Sequence, residues 1–118
     1  MHEPMTMSVR SIHTFPERRA AGHEHEQADV RADGLVGDRP KRAAVSVVGN
    51  DSPHTRANLV LDAPTAQVEA LTGRVVRVGD VVLAVEATGN ACAGLYGAVG
   101  RSGTVRVGDP VEVVEDAS

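Results

Sequence analysis

Short valine-rich runs, each cut off by Gly, Gly-Asp or Pro, recur along most of this chain and limit what it can fold into. Two of them carry the same phrase, Val76-Arg77-Val78-Gly79-Asp80 and Val105-Arg106-Val107-Gly108-Asp109. Runs this short make poor helices, and their β-branched residues favour an extended, pleated backbone. The Gly-Asp pair supplies a reversal, because glycine accepts the left-handed conformation that tight turns need. Strand and turn repeated at regular spacing predict an all-β domain, a compact β-barrel or a sandwich. Both Gly-Asp pairs are expected at solvent-exposed hairpin tips.

Taken in order, residues 1–7 read as a loose start and 8–15 as a first strand, stopped by Pro16. Residues 17–22 form a charged loop or a turn of helix. Ala28 to Ala32 leads into Gly34-Leu35-Val36-Gly37-Asp38-Arg39-Pro40, whose glycines beside Asp and Pro make a tight reversal. This is no phosphate loop, since the G-x-x-x-x-G-K-[ST] spacing is absent. Buried strands are expected over 43–49 and 58–61, and further strands over 74–78, 81–88, 104–107 and 111–114. The helix candidate is 65–71, with Pro64 at its first position and Val68 and Leu71 facing inward.

With 118 residues the chain makes one domain, residues 1–118, with a single core. It has one Phe, one Tyr and no Trp, so Val, Leu, Ala and Ile must fill that core. The net charge of −4 argues against a general nucleic-acid partner. Of the basic residues, eleven are Arg and one is Lys, a bias that suits bidentate grips on phosphate or carboxylate and that a GC-rich genome also produces. A single cysteine makes no internal disulfide, and no run approaches the roughly twenty apolar residues of a membrane span. The expectation is a cytoplasmic protein without membrane attachment.

The cysteine lies in Thr88-Gly89-Asn90-Ala91-Cys92-Ala93-Gly94-Leu95-Tyr96, a stretch of small residues read as a glycine-bounded loop. Chemistry is commonly placed in such loops, whereas a packing cysteine sits inside an apolar strand. His23-Glu24-His25-Glu26 holds ligand types suited to zinc, but no second pair at ligand spacing follows. A charged strand edge or hairpin is the reading that fits it.

Several phrases together resemble a MOSC domain, the C-terminal module of molybdenum cofactor sulfurases, which also occurs as a free-standing bacterial protein. They are Ile12-His13-Thr14-Phe15-Pro16, then Gly34-Leu35-Val36-Gly37-Asp38-Arg39, Arg56-Ala57-Asn58-Leu59-Val60 and Val78-Gly79-Asp80-Val81-Val82-Leu83-Ala84-Val85. Cys92 and Gly103-Thr104-Val105-Arg106-Val107-Gly108-Asp109-Pro110-Val111 complete the order. The intervals 42–55 and 93–102 are shorter than is usual in that family. The resemblance implies a MOSC-like β-barrel that binds molybdenum within a molybdopterin-type cofactor, or that carries sulfur as a persulfide on Cys92. Its partner would then be a small-molecule cofactor or a sulfur donor or acceptor protein.

Carried over onto this chain, the resemblance makes Cys92 the reactive thiol and metal ligand, since a thiolate is both a sulfur nucleophile and a soft donor. It makes Arg56, Asn58 and Arg39 cofactor-binding candidates. Arg56 and Asn58, two apart on a strand, would point the same way, the arginine fork towards a phosphate and the amide towards a polar ligand edge. Asn58 also suits capping a turn, and Asp38 and Arg39 suit locking theirs. The small neighbours of Cys92 leave its sulfur partly accessible at the barrel mouth, facing that strand. A β-barrel binding or interaction module without catalysis is the alternative.

Overall fold

Residue 10 interrupts the first strand, and the barrel is built around that interruption. Strand β1, Met7–Thr14, buries Met7, Val9, Ile12 and Thr14, so the two-residue alternation breaks between Val9 and Ile12. The pairing explains the break: Val9 faces Leu61 and Ser11 faces Val60, leaving Arg10 as the extra residue of a β-bulge. The bulge returns Ile12 to the inside and puts Arg10 outside, 3.6 Å from Asp62.

The computed structural model describes residues 7–17, 21–39, 44–52, 56–88 and 94–114. After β1 come β2, His23–His25; β3, Gln27–Arg31; β4, Gly34–Leu35; β5, Val45–Val48; and β6, Leu59–Leu61. The helix α1, Thr65–Glu69, follows, then β7, Val75–Val78; β8, Val81–Ala87; β9, Leu95–Arg101; β10, Gly103–Arg106; and β11, Pro110–Val113. The strands β11-β7-β8-β9-β5-β6-β1 form a ring closed where Met7 and Ser8 pair with Val111 and Pro110. Among the described residues this is a seven-stranded β-barrel with a single short helix, as the strand-and-turn pattern predicts. Closure leaves no open edge in the ring. Strand β2 hangs on the outside of β1, and β10-β3-β4 form a separate small sheet. Met7 belongs to the closing strand and is buried, so the loose start ends before it.

The interior holds Val9, Ile12, Val45, Leu59, Leu61, Val78, Val81, Leu83, Val85 and Leu95, joined by Val30, Leu35 and Val105 from the small sheet and Val68 from α1. Each such side chain contributes about 1.5–3 kcal/mol by leaving water. Strand β9 was not expected, because its two glycines suppress any strand signal. Gly97 faces inward, and a Cβ there would stand 3.3 Å from Leu83, so its absence makes room for that leucine. Gly100 is the extra residue of a second bulge, between the Val82–Arg101 and Leu83–Val99 pairs.

The strand directions distinguish two barrel ends. Strands β5 and β6 run parallel towards α1, and β8 runs the same way, while Gly94, just before β9, bonds to Glu69 of α1. Leu59, at the start of β6, and Leu95, at the start of β9, both pair with Val47 of β5.

The repeated phrase adopts two different structures. Gly79-Asp80 is the two-residue tip of the β7–β8 hairpin, between the paired Val78 and Val81. Gly108-Asp109 joins β10 to β11, which belong to different sheets, so it is a crossing and not a hairpin tip. There Gly108 and Asp109 exchange backbone hydrogen bonds with Val9.

Helix α1 borrows its N-terminal cap. Pro64 precedes the first helical residue in an extended conformation, one position earlier than expected, and makes no side-chain cap. Asp51 Oδ1 accepts from the Thr65 N–H at 2.8 Å instead, and Thr65 Oγ1 accepts from the Gly49 N–H at 3.1 Å. The Thr65 backbone bond holds the Asp51 carboxyl below its ordinary pKa of 3.8. A depressed carboxyl stabilises the fold above its unfolded pKa and ceases to do so as the pH falls through the folded one. Melting of wild type and Asp51→Asn should therefore differ above pH 3.8 and converge as the pH falls through the lowered folded value. An unchanged difference at acid pH would remove Asp51 from this role. Among the described residues, no helix is long and apolar enough to cross a membrane.

Candidate functional site

Asn58 is fully buried, and its amide hydrogen bonds all go to protein. Its Oδ1 accepts from the Ser46 N–H at 3.0 Å and from Ser46 Oγ at 3.3 Å. Its Nδ2 donates to the His13 carbonyl and to Asp38 Oδ2, both at 3.1 Å. The backbone N–H of Asn58 donates to Ser46 Oγ at 2.9 Å, and its carbonyl accepts from the His13 N–H at 2.8 Å. One side chain thus ties β5, the end of β1 and the β4–loop reversal to the start of β6. With both amide protons and both Oδ1 lone pairs engaged, the side chain has no further capacity for a ligand.

Asp38 extends the network. The turn Leu35-Val36-Gly37-Asp38 closes with an Asp38 N–H to Leu35 carbonyl bond of 3.0 Å, and Gly37 has φ +95°, which favours glycine there. The turn aims the carboxylate back at β1, where Oδ1 accepts from the Phe15 N–H at 2.7 Å. The Phe15 carbonyl in turn accepts from the Arg39 N–H at 3.3 Å.

Arg56 completes the group. It is exposed, and its guanidinium carbon lies 4.5 Å from the centroid of the Phe15 ring. Contrary to what their spacing suggests, Arg56 and Asn58 do not share a strand face. Strand β6 begins only at Leu59, so the alternation does not reach back to Arg56, and one residue points out while the other is buried. The structure still gathers Arg39, Asn58 and Arg56 around Phe15 and Asp38, at the C-terminal end of β1.

Cys92 lies outside the described residues, as do its neighbours Asn90, Ala91 and Ala93. The chain resumes at Gly94, which has φ +96° and whose N–H donates to Glu69 Oε2 of α1 at 2.8 Å. A Cβ on Gly94 would collide with the Val47 carbonyl and stand 2.6 Å from Val48 Cγ1. Val48 packs with Val60 and with Ala57, the neighbour of Arg56, in a small apolar cluster on the barrel wall. Val48 is thus a common neighbour of Ala57, beside Arg56, and of Gly94.

The histidines form an outer strand, β2, paired with β1 alone, as the charged-edge reading expects. His25 Nε2 is 2.8 Å from Thr14 Oγ1, and His23 is exposed. Among the described residues, no group of three or more His, Cys, Asp or Glu could hold a metal ion. An open groove of about 740 Å³ beside β2 is lined by Arg10, Glu24, His25, Glu26, Gln27, Arg106 and Val107, and by none of the candidate residues.

No family model and no curated protein matches this sequence. Solved structures do. The YuaD protein from Bacillus subtilis superposes with a TM-score of 0.71 at 16% identity, over 92% of this chain and 96% of that one. A hypothetical protein of known structure gives 0.71 at 16%, over 97% of this chain and 70% of its own. YiiM from Escherichia coli, a MOSC-domain protein, gives 0.67 at 17%, over 98% and 72%. The fold is MOSC-like. This likeness covers nearly the whole chain, as the ordered phrases predict.

Proposed function

We propose that the chain binds a molybdopterin-type cofactor, with Arg56 and Arg39 on its phosphate and Cys92 as the thiolate ligand to molybdenum. The carrying observation is the network that brings Arg39, Asn58 and Arg56 together around Phe15 and Asp38 on a MOSC-like barrel. The donor set fits the group. An exposed guanidinium on a ring suits a phosphate. The cofactor would supply a redox-active molybdenum centre. The chain's own residues would bind the phosphate, orient the pterin and present the thiolate. Asn58 would serve indirectly, by fixing the segment that carries Arg56.

The test is Arg56→Lys, with affinity for isolated molybdenum cofactor read from the fluorescence of the oxidised pterin. A point charge cannot reproduce a planar, bidentate fork. Losing one charge-assisted bond should weaken binding about tenfold. Equal affinity in the two proteins would assign Arg56 to structure.

A further inference from the structure

We infer that Phe15 is a positioning residue for Arg56, holding the guanidinium in the orientation in which it meets the phosphate. The inference rests on the proposed cofactor-binding function and adds a residue to it.

A chain that owns a single phenylalanine would be expected to place it in the core, where a large apolar ring stabilises most. Phe15 belongs to neither apolar cluster. It is half-buried just beyond β1, and the Arg56 guanidinium stands over its ring at 4.5 Å. The ring itself is fixed from several sides. Its backbone is clamped by Asp38 Oδ1 on the N–H and by the Arg39 N–H on the carbonyl. The His13 ring stacks at 6.4 Å with an interplanar angle of 22°. The backbone at Gly22 approaches so closely that a Cβ there would collide with the ring edge.

A ring held this firmly, outside the core and under a cation, is a platform. Cation–π attraction favours guanidinium positions over the ring and narrows the rotamers Arg56 samples. A guanidinium lying on a ring uses its face for that contact, while its N–H donors lie in its own plane and serve hydrogen bonds. Limiting the rotamers of a long side chain before binding reduces the entropy lost on binding. The same clamp joins Phe15 to Asp38 and Arg39, so the platform and the second arginine move together.

The test compares wild type, Phe15→Leu and Phe15→Tyr in two measurements. The first is the side-chain Nε–H resonance of Arg56, assigned by its loss in Arg56→Lys. A ring beneath the guanidinium displaces it upfield in wild type and Phe15→Tyr, and Phe15→Leu abolishes the displacement. The second is affinity for isolated molybdenum cofactor, expected to fall about three- to fivefold in Phe15→Leu and to change less than about twofold in Phe15→Tyr. An undisplaced resonance in wild type overturns the inference without recourse to any variant that fails to fold. Cofactor binding that depends on Arg56 but is unchanged in Phe15→Leu overturns it and leaves the proposed function standing. A wild type that binds no cofactor at all overturns the proposed function, and this inference with it.

Discussion

Asn58→Asp is expected to destabilise the fold by about 3–5 kcal/mol, although it replaces one NH2 group by an oxygen of nearly the same size. The amide Nδ2 donates to the His13 carbonyl and to the Asp38 carboxylate in a fully buried position. The new oxygen would face two acceptors, one of them a carboxylate, with no water to separate them. Domains of this size are stable by only about 5–15 kcal/mol, so the variant should approach unfolding at neutral pH. Burial beside a carboxylate raises the pKa of the added group. Its cost should therefore shrink as the pH is lowered below that raised value, since the protonated form donates a hydrogen bond. Asn58→Ala removes the donors without adding charge and should cost less, about 2–3 kcal/mol. Urea denaturation at neutral and acid pH measures all three proteins. A cost below about 1 kcal/mol for Asn58→Asp would show that the network does not hold the barrel.

The second large effect separates the two copies of Val-Arg-Val-Gly-Asp. Gly79→Ala should cost about 2–4 kcal/mol and Gly108→Ala about 1–2. Both glycines have positive φ, +60° and +95°, so both substitutions carry a backbone penalty. A Cβ on Gly108 meets nothing within 4 Å. On Gly79 it would collide with Asp109 Oδ2 and stand 3.1 Å from the Thr104 carbonyl. Asp109 Oδ2 cannot move away without loss, because it accepts from the Arg106 N–H at 2.8 Å. The first copy thus packs on the second. Thermal melting of the two variants is the check, and equal losses would contradict this contact.

That pair also shows where sequence reasoning stops. Identical local sequence means identical local preference, and hairpin chemistry was read into both copies on that basis. The residue after the phrase differs: Val81 continues a hairpin partner strand, whereas Pro110 offers no N–H to a ladder. Partner choice, a long-range matter, then sent β10 to β3 and β11 to β7 and β1. The valine-rich strands were legible because their propensity, their burial and their turn boundaries agree. Strand β9 was not, because Gly97 is explained only by Leu83 from the neighbouring strand. The stretch 8–15 reads as alternating, and only the pairing of β1 with β6 exposes the bulge at Arg10.

The site was legible in part. The order of short phrases nominates candidate residues, but their roles depend on where a strand starts. With β6 beginning at Leu59, Asn58 becomes a buried tie and Arg56 an exposed cation. No motif marks Phe15 as a site residue. The available signal was compositional: a sole phenylalanine stood next to a proline at a strand end, where a core-building ring is poorly placed.

On the function proposed above, this barrel holds a molybdopterin-type cofactor through its arginines and Cys92. Native mass spectrometry of protein isolated from a molybdenum-replete host, with molybdenum quantified on the same sample, tests it most directly. The predicted result is one pterin and one molybdenum per chain in wild type. In Cys92→Ser the molybdenum should be lost while the fold stays intact, because a hydroxyl is neither ionised at neutral pH nor a soft ligand. Wild-type protein of bare polypeptide mass, unchanged after incubation with isolated cofactor, would contradict the account.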